Sequence, residues 1–516
     1  MPDTALAHPT ADTAQGRIEG RSDGTVARYL GIPYGRADRF RPARPPAASE
    51  GVFAATALGP RCPQVARAGR PWMDFLSDPT PMDEACLALN IFAADRPAGT
   101  PRPVMVWLHG GGYVTGSGGR PGVDGTALAA RGDVVVVTLN HRLNAFGFTY
   151  FGDLVPGHNG ANIGMTDIVR ALEWVRENIA AFGGDPGNVT IFGQSGGGSK
   201  VALLMAMPSA EGLFHRAVVQ SASSLLKMAS PERATRCAEL LLEELGIADP
   251  TPEALAAPDF KAILDARARA VTRNDGIDDF RPVVDGTVLT ANPFEPGNIA
   301  RSARIPLLIG TCEDEITFFQ AAADPNFHAM DAGTARDRIA YFTNLEQDAA
   351  DRLYAELAAI FPGESPAQLT SRAMSEHMYR RNDRRAADLR SAHPGAPVWS
   401  YLFRWKTAAE GGHLGCPHTA CIPFIFGTTT AAQRMLGRPD DAARLSEKVM
   451  DAWLAFARSG DPNHPGLPAW PAYDATHRPT MIFDDTCEAM DDPLPELRAL
   501  IDACPAYTTD KGSGAV

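Results

Sequence analysis

Short apolar runs alternate along this chain with longer amphipathic stretches. Residues 104–108 and 134–139 are near-continuously apolar, which fits strands buried on both faces of a sheet. Residues 189–192, 217–219 and 306–309 read the same way, and 398–405 is a further candidate. Between two of these runs, Ile168, Leu172, Val175, Ile179 and Phe182 recur at spacings of four and three and so share one helical face. Arg170, Glu173 and Glu177 fall elsewhere, and Gly183-Gly184 supplies the stop. The helix leads straight into the strand at 189–192. This alternation predicts an α/β fold, a mostly parallel sheet covered by helices. Two stretches rich in Ala, Leu, Glu and Arg, about 231–275 and 334–392, break it and predict helical insertions. Such insertions either cover the mouth of a site or pack on the flank of the sheet. The expected layout is one domain over 14–505, with flexible tails at 1–13 and 510–516.

Composition narrows the class. With 516 residues, 45% of them hydrophobic and 21% charged, the chain can bury a sizeable core. A net charge of −13 and the absence of any Lys/Arg run argue against a nucleic-acid partner. The 48 basic residues divide into 42 Arg and 6 Lys. The apolar run at 134–139 falls far short of the roughly 18 residues of a membrane span. The N-terminus has neither a basic start nor an apolar segment, so no secretory leader is expected, and the expected location is cytoplasmic. Eight cysteines without a CxxC spacing give no structural zinc site.

Two glycine-rich segments carry the chemistry. Residues 189–198 place Gly193-Gln194-Ser195-Gly196-Gly197 between a strand and a helical pattern. The glycines permit a sharp turn with the Ser195 side chain at its apex, and the helix start aims backbone N–H groups at whatever the serine attacks. His109-Gly110-Gly111-Gly112-Tyr113 follows the strand at 104–108. Three glycines there let the backbone approach a ligand closely and direct N–H groups inward, as a tetrahedral oxyanion needs. A phosphate loop is the competing reading, but no Gly-Lys-Ser/Thr follows and no downstream acidic partner stands out.

With these segments in hand, the chain resembles a type-B carboxylesterase of the α/β-hydrolase superfamily, the group of the cholinesterases and bacterial para-nitrobenzyl esterases. The likeness runs from about Gly16 to Cys504 and rests on ordered blocks at 29–34, 59–64, 84–90, 109–113, 182–198 and 214–221. It implies an α/β-hydrolase fold and a catalytic triad in the chain order Ser, Glu, His. Glu315 matches the acid, which composition alone does not separate from Glu313 or Asp314. His418 matches the base, because it stands five residues before Pro423-Phe424-Ile425-Phe426-Gly427, whereas His413 does not. Backbone N–H groups of Gly111, Gly112 and Gly196 are the implied oxyanion donors, each contributing about 3 kcal/mol to barrier reduction. Ser221 matches a buried serine near the acid and is expected to hydrogen-bond there. Arg39 and Glu84 match a structural ion pair. Cys62 and Cys86 match a pair bridged in secreted members, a candidate disulfide that a reducing cytosol would leave as thiols.

The departures from that pattern are informative. The residue before the nucleophile, usually Glu, is Gln194; the residue three after the catalytic His, also usually Glu, is Cys421. Losing both carboxylates together avoids stranding one as an unpaired buried charge. The pair therefore predicts a neutral pocket floor and weak affinity for cationic esters; unrelated drift at two tolerant positions is the alternative reading. Trp72 lies between Cys62 and Cys86 but not at the spacing of a choline-binding tryptophan. Gly196 stands where the family has Ala, which adds local backbone freedom. Phe318, Phe319 and Phe424 suggest an apolar wall or core positions. The sequence as a whole predicts a cofactor-free, metal-free serine carboxylic-ester hydrolase, monomeric, acting on small to medium uncharged aryl or alkyl esters. Carbamate or amide hydrolysis by the same triad is the alternative. A binding protein on the same fold is the reading from another class, but such relatives lack the nucleophile.

Overall fold

The computed structural model describes residues 8–48, 51–65, 69–96, 99–155, 160–223 and 225–507. The predicted apolar runs form the centre of an eleven-stranded sheet. Its strands in chain order are β1 (Arg21–Ser22), β2 (Val26–Pro33), β3 (Ala88–Ala94), β4 (Arg102–Leu108), β5 (Val135–Leu139) and β6 (Gly184–Gln194). β7 (Arg216–Gln220), β8 (Leu307–Cys312), β9 (Val398–Phe403), β10 (Pro479–Phe483) and β11 (Glu488–Asp491) complete it. Across the sheet the order is β11-β10-β9-β8-β7-β6-β4-β5-β3-β2-β1. Every neighbouring pair from β5 to β10 is parallel, and the edges are antiparallel.

Burial follows the two-residue period of a strand. Val104, Val106 and Leu108 face one core cluster, whereas Met105 and Trp107 face the other. Both faces are thus apolar, which is why β4 reads as a continuous run. Helix α1 (Ile163–Asn178) buries Ile168, Leu172 and Val175, continues as a 3-10 turn at Ile179–Phe182, and is closed by Gly183 at φ 79. Helix α2 (Gly196–Ala206) follows β6 and has every residue buried. Among the described residues no helix is long and apolar enough to cross a membrane.

One expectation needs correction. Thr10–Thr13 is not a tail but a strand, paired antiparallel with Gly16–Glu19 in a separate three-stranded sheet. Ala11, opposite Ile18, is buried in the main core, and that burial holds an otherwise polar segment in place. The remaining tail positions, 1–7 and 510–516, lie outside the described residues. Residues 231–273 fold into Pro231–Leu245, Pro252–Ala256 and Phe260–Arg273. The second excursion holds helices Ala332–Thr343, Gln347–Ile360, Pro366–Ser375 and Arg381–Ser391, the last two joined by a π-helical turn at Glu376–Arg380. The C-terminal ends of β4, β6, β8 and β9 open onto one region, where open parallel sheets hold their ligands.

Candidate active site

Ser195 sits between the end of β6 and the start of α2 at φ 60 and ψ −127. A non-glycine residue held there carries on the order of 1–3 kcal/mol of backbone strain, sustained only by surrounding structure. That support is visible: Ser195 N–H donates to the Gln220 carbonyl at 2.8 Å, and the Ser195 carbonyl accepts from Ser199 N–H at 3.0 Å. The turn also abuts β4, since a Cβ on Gly197 would lie 2.0 Å from the Leu108 carbonyl oxygen. Ser195 itself is part-exposed between buried neighbours.

The acid and base arrive on two loops zipped together. Asp314 N–H donates to the Cys416 carbonyl at 3.0 Å, and Cys416 N–H returns a bond to Asp314 Oδ2 at 2.9 Å. Thr317 Oγ1 donates to the carbonyls of Asp314 and Leu414 at 2.7 and 2.6 Å. Lys406 bonds Asp314 at 3.0 Å and also Glu313, whose carboxylate further meets Arg404 and Arg372. These cations hold the Glu313 carboxyl below its ordinary range despite burial, which acts the other way. Glu313 and Asp314 are therefore engaged elsewhere. Glu315 alone turns to His418: its Oε2 accepts from Nδ1 in a short contact, while its Oε1 accepts from Cys312 N–H at 2.8 Å. The proton on Nδ1 leaves Nε2 as the accepting nitrogen. His413, by contrast, is exposed and stacks on His328 at 4.3 Å.

Among the described residues no hydrogen bond joins Ser195 Oγ to His418. The Gln194 amide holds that nitrogen instead, with its Nε2 at 3.1 Å from His418 Nε2 and 3.3 Å from Nδ1. Catalytic hydrogen bonds of a resting site commonly tighten only in the reacting complex. Gly111 and Gly112 adopt φ of 101 and 62, and their N–H groups have no acceptor among the described residues. The Gly196 N–H lies at the first turn of α2, where helical donors are free.

The other predicted positions divide. Gln194 lies against His418, whereas Cys421 Sγ accepts from Nε2 of Gln220, the residue paired with Gln194 across β6 and β7, at 3.8 Å. No direct bond couples the two. Ser221, at φ 50, is buried with its hydroxyl unpartnered among the described residues, so the expected bond near the acid is not made. Cys62 and Cys86 are buried thiols rather than a disulfide. Their mutual hydrogen bond and burial push the Cys86 thiol well up. Arg39 pairs with Glu84, Nε to Oε2 at 2.8 Å. Phe424 belongs to the core, stacked on Phe403, whereas Phe318 and Phe319 stand 5.9 and 5.1 Å from the His418 ring. Trp72 packs on Phe318 at 5.4 Å and donates to Glu410 at 2.6 Å.

Three further residues near the site carry no local sequence signal. Tyr379, in the π-helical turn, lies 5.2 Å from the His418 ring. A π-turn often marks a functional position, but nothing in the local sequence announces one. Asp383 is buried with both carboxylate oxygens unpartnered among the described residues, and burial, with Glu315 nearby, pushes its carboxyl well up. Lys200 is wholly buried in α2. No group of three or more His, Cys, Asp or Glu among the described residues is placed to hold a metal ion.

Comparison with known proteins adds an independent line. Residues 7–498 match the carboxylesterase family. The chain is 34% identical over 506 residues to the para-nitrobenzyl esterase of Bacillus subtilis, covering 96% of this chain and 98% of that protein. It is 33% identical over 497 residues to the phenmedipham hydrolase of Pseudarthrobacter oxydans, covering 93% and 96%. A solved carboxylesterase of Geobacillus stearothermophilus superposes with a TM-score of 0.82 at 36% identity, over 95% of this chain and 99% of that one.

Proposed function

This chain belongs to the carboxylesterase family, and we propose that Ser195, His418 and Glu315 carry its serine ester hydrolysis. The supporting observation is the Glu315–His418 contact beside a part-exposed serine held at positive φ on a strand-to-helix turn. Ser195 Oγ attacks the ester carbonyl as the Gln194 amide yields His418 Nε2, which takes the hydroxyl proton. Glu315 fixes the imidazole tautomer and stabilises the imidazolium. The oxyanion falls to the N–H groups of Gly111, Gly112 and Gly196, and removing one such donor costs about 3 kcal/mol. Collapse expels the alcohol with the proton from His418; water then repeats the sequence on the acyl-enzyme.

Phe318, Phe319 and Tyr379 ring the His418 side, which favours uncharged aryl or alkyl esters of small to medium size. Identity of 33% to a phenmedipham hydrolase supports carbamate cleavage by the same residues as the second reading. The test is hydrolysis of para-nitrophenyl acetate, butyrate and octanoate, butyrylthiocholine and a phenylcarbamate by wild type and Ser195→Ala. The expected result is rapid cleavage of the neutral esters, slow cleavage of the choline ester, and loss of about 10⁵-fold or more in the variant. Carbamate turnover above ester turnover would promote the second reading. Full activity in Ser195→Ala would overturn the assignment.

A further inference from the structure

Lys200 stands five residues after Ser195 in the fully buried helix α2, with none of its surface exposed. Lysine is seldom buried this way unless paired. In a chain with 42 Arg and 6 Lys, its presence here is no compositional default. Its Nζ donates to the carbonyl oxygens of His109 at 3.1 Å and Gly112 at 2.9 Å, and lies 5.7 Å from the Tyr113 ring centroid. Among the described residues the charged and titratable groups facing it are Arg120, His109, His141 and Tyr113, none of them a carboxylate. Burial first, and Arg120 second, bring its ammonium down to about 7. Charged or neutral, the nitrogen keeps at least two N–H donors, and two carbonyls receive them.

Those two carbonyls bracket the segment of interest. The His109 carbonyl shares its peptide unit with the Gly110 N–H, and the Gly112 carbonyl shares its unit with the Tyr113 N–H. Between them lie only the two units that carry the Gly111 and Gly112 N–H groups. With three glycines in a row this stretch is permissive backbone, and Lys200 bonds to it at both ends.

A second, independent observation concerns Gly196. A Cβ there would lie 2.3 Å from the Gly112 carbonyl oxygen, the same atom that Lys200 binds. No positive φ at Gly196 calls for glycine. The reason is space: the loop is drawn against the start of α2 where an alanine methyl would stand. The expectation that Gly196 serves local backbone freedom is therefore replaced by a steric one.

We propose that Lys200 is a positioning residue for ester hydrolysis, clamping both ends of the Gly110-Gly111-Gly112 segment so that its N–H groups meet the tetrahedral oxyanion, with Gly196 as the partner the clamp requires. The proposal rests on the reading of Ser195 as nucleophile. Steady-state kinetics on para-nitrophenyl butyrate, inhibition by a trifluoromethyl ketone and thermal melts would be measured for Lys200→Met, Lys200→Gln, Gly196→Ala and both double variants, beside Ser195→Ala. The expected result for Lys200→Met is a fall in kcat of about 30- to 100-fold with KM within about threefold, and a matching loss of ketone affinity. Lys200→Gln, which keeps two amide donors, should recover at least about fivefold of that loss. Gly196→Ala should cost about tenfold or more in the wild-type background but less than about threefold beside Lys200→Met. A kcat within threefold of wild type in folded Lys200→Met would overturn the proposal, as would equal costs of Gly196→Ala in both backgrounds. If Lys200→Met melts below the assay temperature, Lys200→Leu, which also lacks both donors to the His109 and Gly112 carbonyls, and its double variant with Gly196→Ala decide by the same comparison. Activity surviving in Ser195→Ala would strike the nucleophile assignment instead, so the two failures are distinguishable.

Discussion

The two halves of the candidate site are held by opposite means. The acid–base half, residues 313–317 and 414–418, is tied by many bonds: paired backbone contacts, Thr317, and a cluster of Lys406, Arg372 and Arg404 on the neighbouring carboxylates. The nucleophile half, residues 109–112 and 195–198, has almost no side chains to tie. It is held by backbone hydrogen bonds such as Ser195 N–H to the Gln220 carbonyl and Thr115 N–H to the Gly111 carbonyl, by close approach of bare backbone, and by one buried lysine. Redundancy makes the first tolerant of single losses outside Glu315 and His418. Close packing makes the second intolerant of a single methyl group. A side chain that must transfer or stabilise charge needs a fixed polar surround, whereas backbone N–H donors need only the correct peptide planes.

Removing the one non-redundant contact of the acid–base half should have the largest effect. Glu315→Gln keeps the volume but loses the tautomer control, and kcat should fall by about 10⁴-fold. A loss under tenfold would mean that another group orients His418. Far smaller is the effect expected from Lys406→Ala, which removes a tie that the Cys416 N–H and Thr317 duplicate. Its kcat should stay within about threefold, with a melting temperature a few degrees lower at most. A tenfold loss of kcat would contradict the redundancy.

Smallest in rate, but sharpest in sign, is Asp383→Asn. Because the folded-state carboxyl is raised, Asp383 keeps its proton in the folded chain at pH values where the unfolded chain has lost it. Its stability contribution is full below about pH 4 and is lost as pH climbs toward the folded value. The asparagine variant does not titrate, so its melting temperature relative to wild type should rise between pH 4 and pH 8. A constant difference across that range would show that Asp383 does not hold a proton.

Much of this arrangement is written in local sequence, and some of it is not. The strands at 104–108 and 189–192, the helix ending at Gly183 and the Ser195 turn follow from periodicity and glycine placement, which act over a few residues. Glu315 was separable from Glu313 and Asp314 only by family likeness, because the distinction lies in which carboxylate meets Lys406 and Arg404 and which meets His418. Tyr379 and Asp383 reach the site from an excursion more than sixty residues past β8, and no local pattern marks a π-turn. The steric meaning of Gly196 arises from a loop 84 positions away, so the sequence suggests freedom where the structure has a close contact.

The most direct test of the account is covalent labelling of wild type with a fluorophosphonate, followed by intact mass and peptide mapping, with Ser195→Ala alongside. The account predicts one adduct per chain, on Ser195, rising in step with loss of ester hydrolysis, and no adduct in the variant. An adduct on another residue, or full labelling of Ser195 with hydrolysis undiminished, would contradict it.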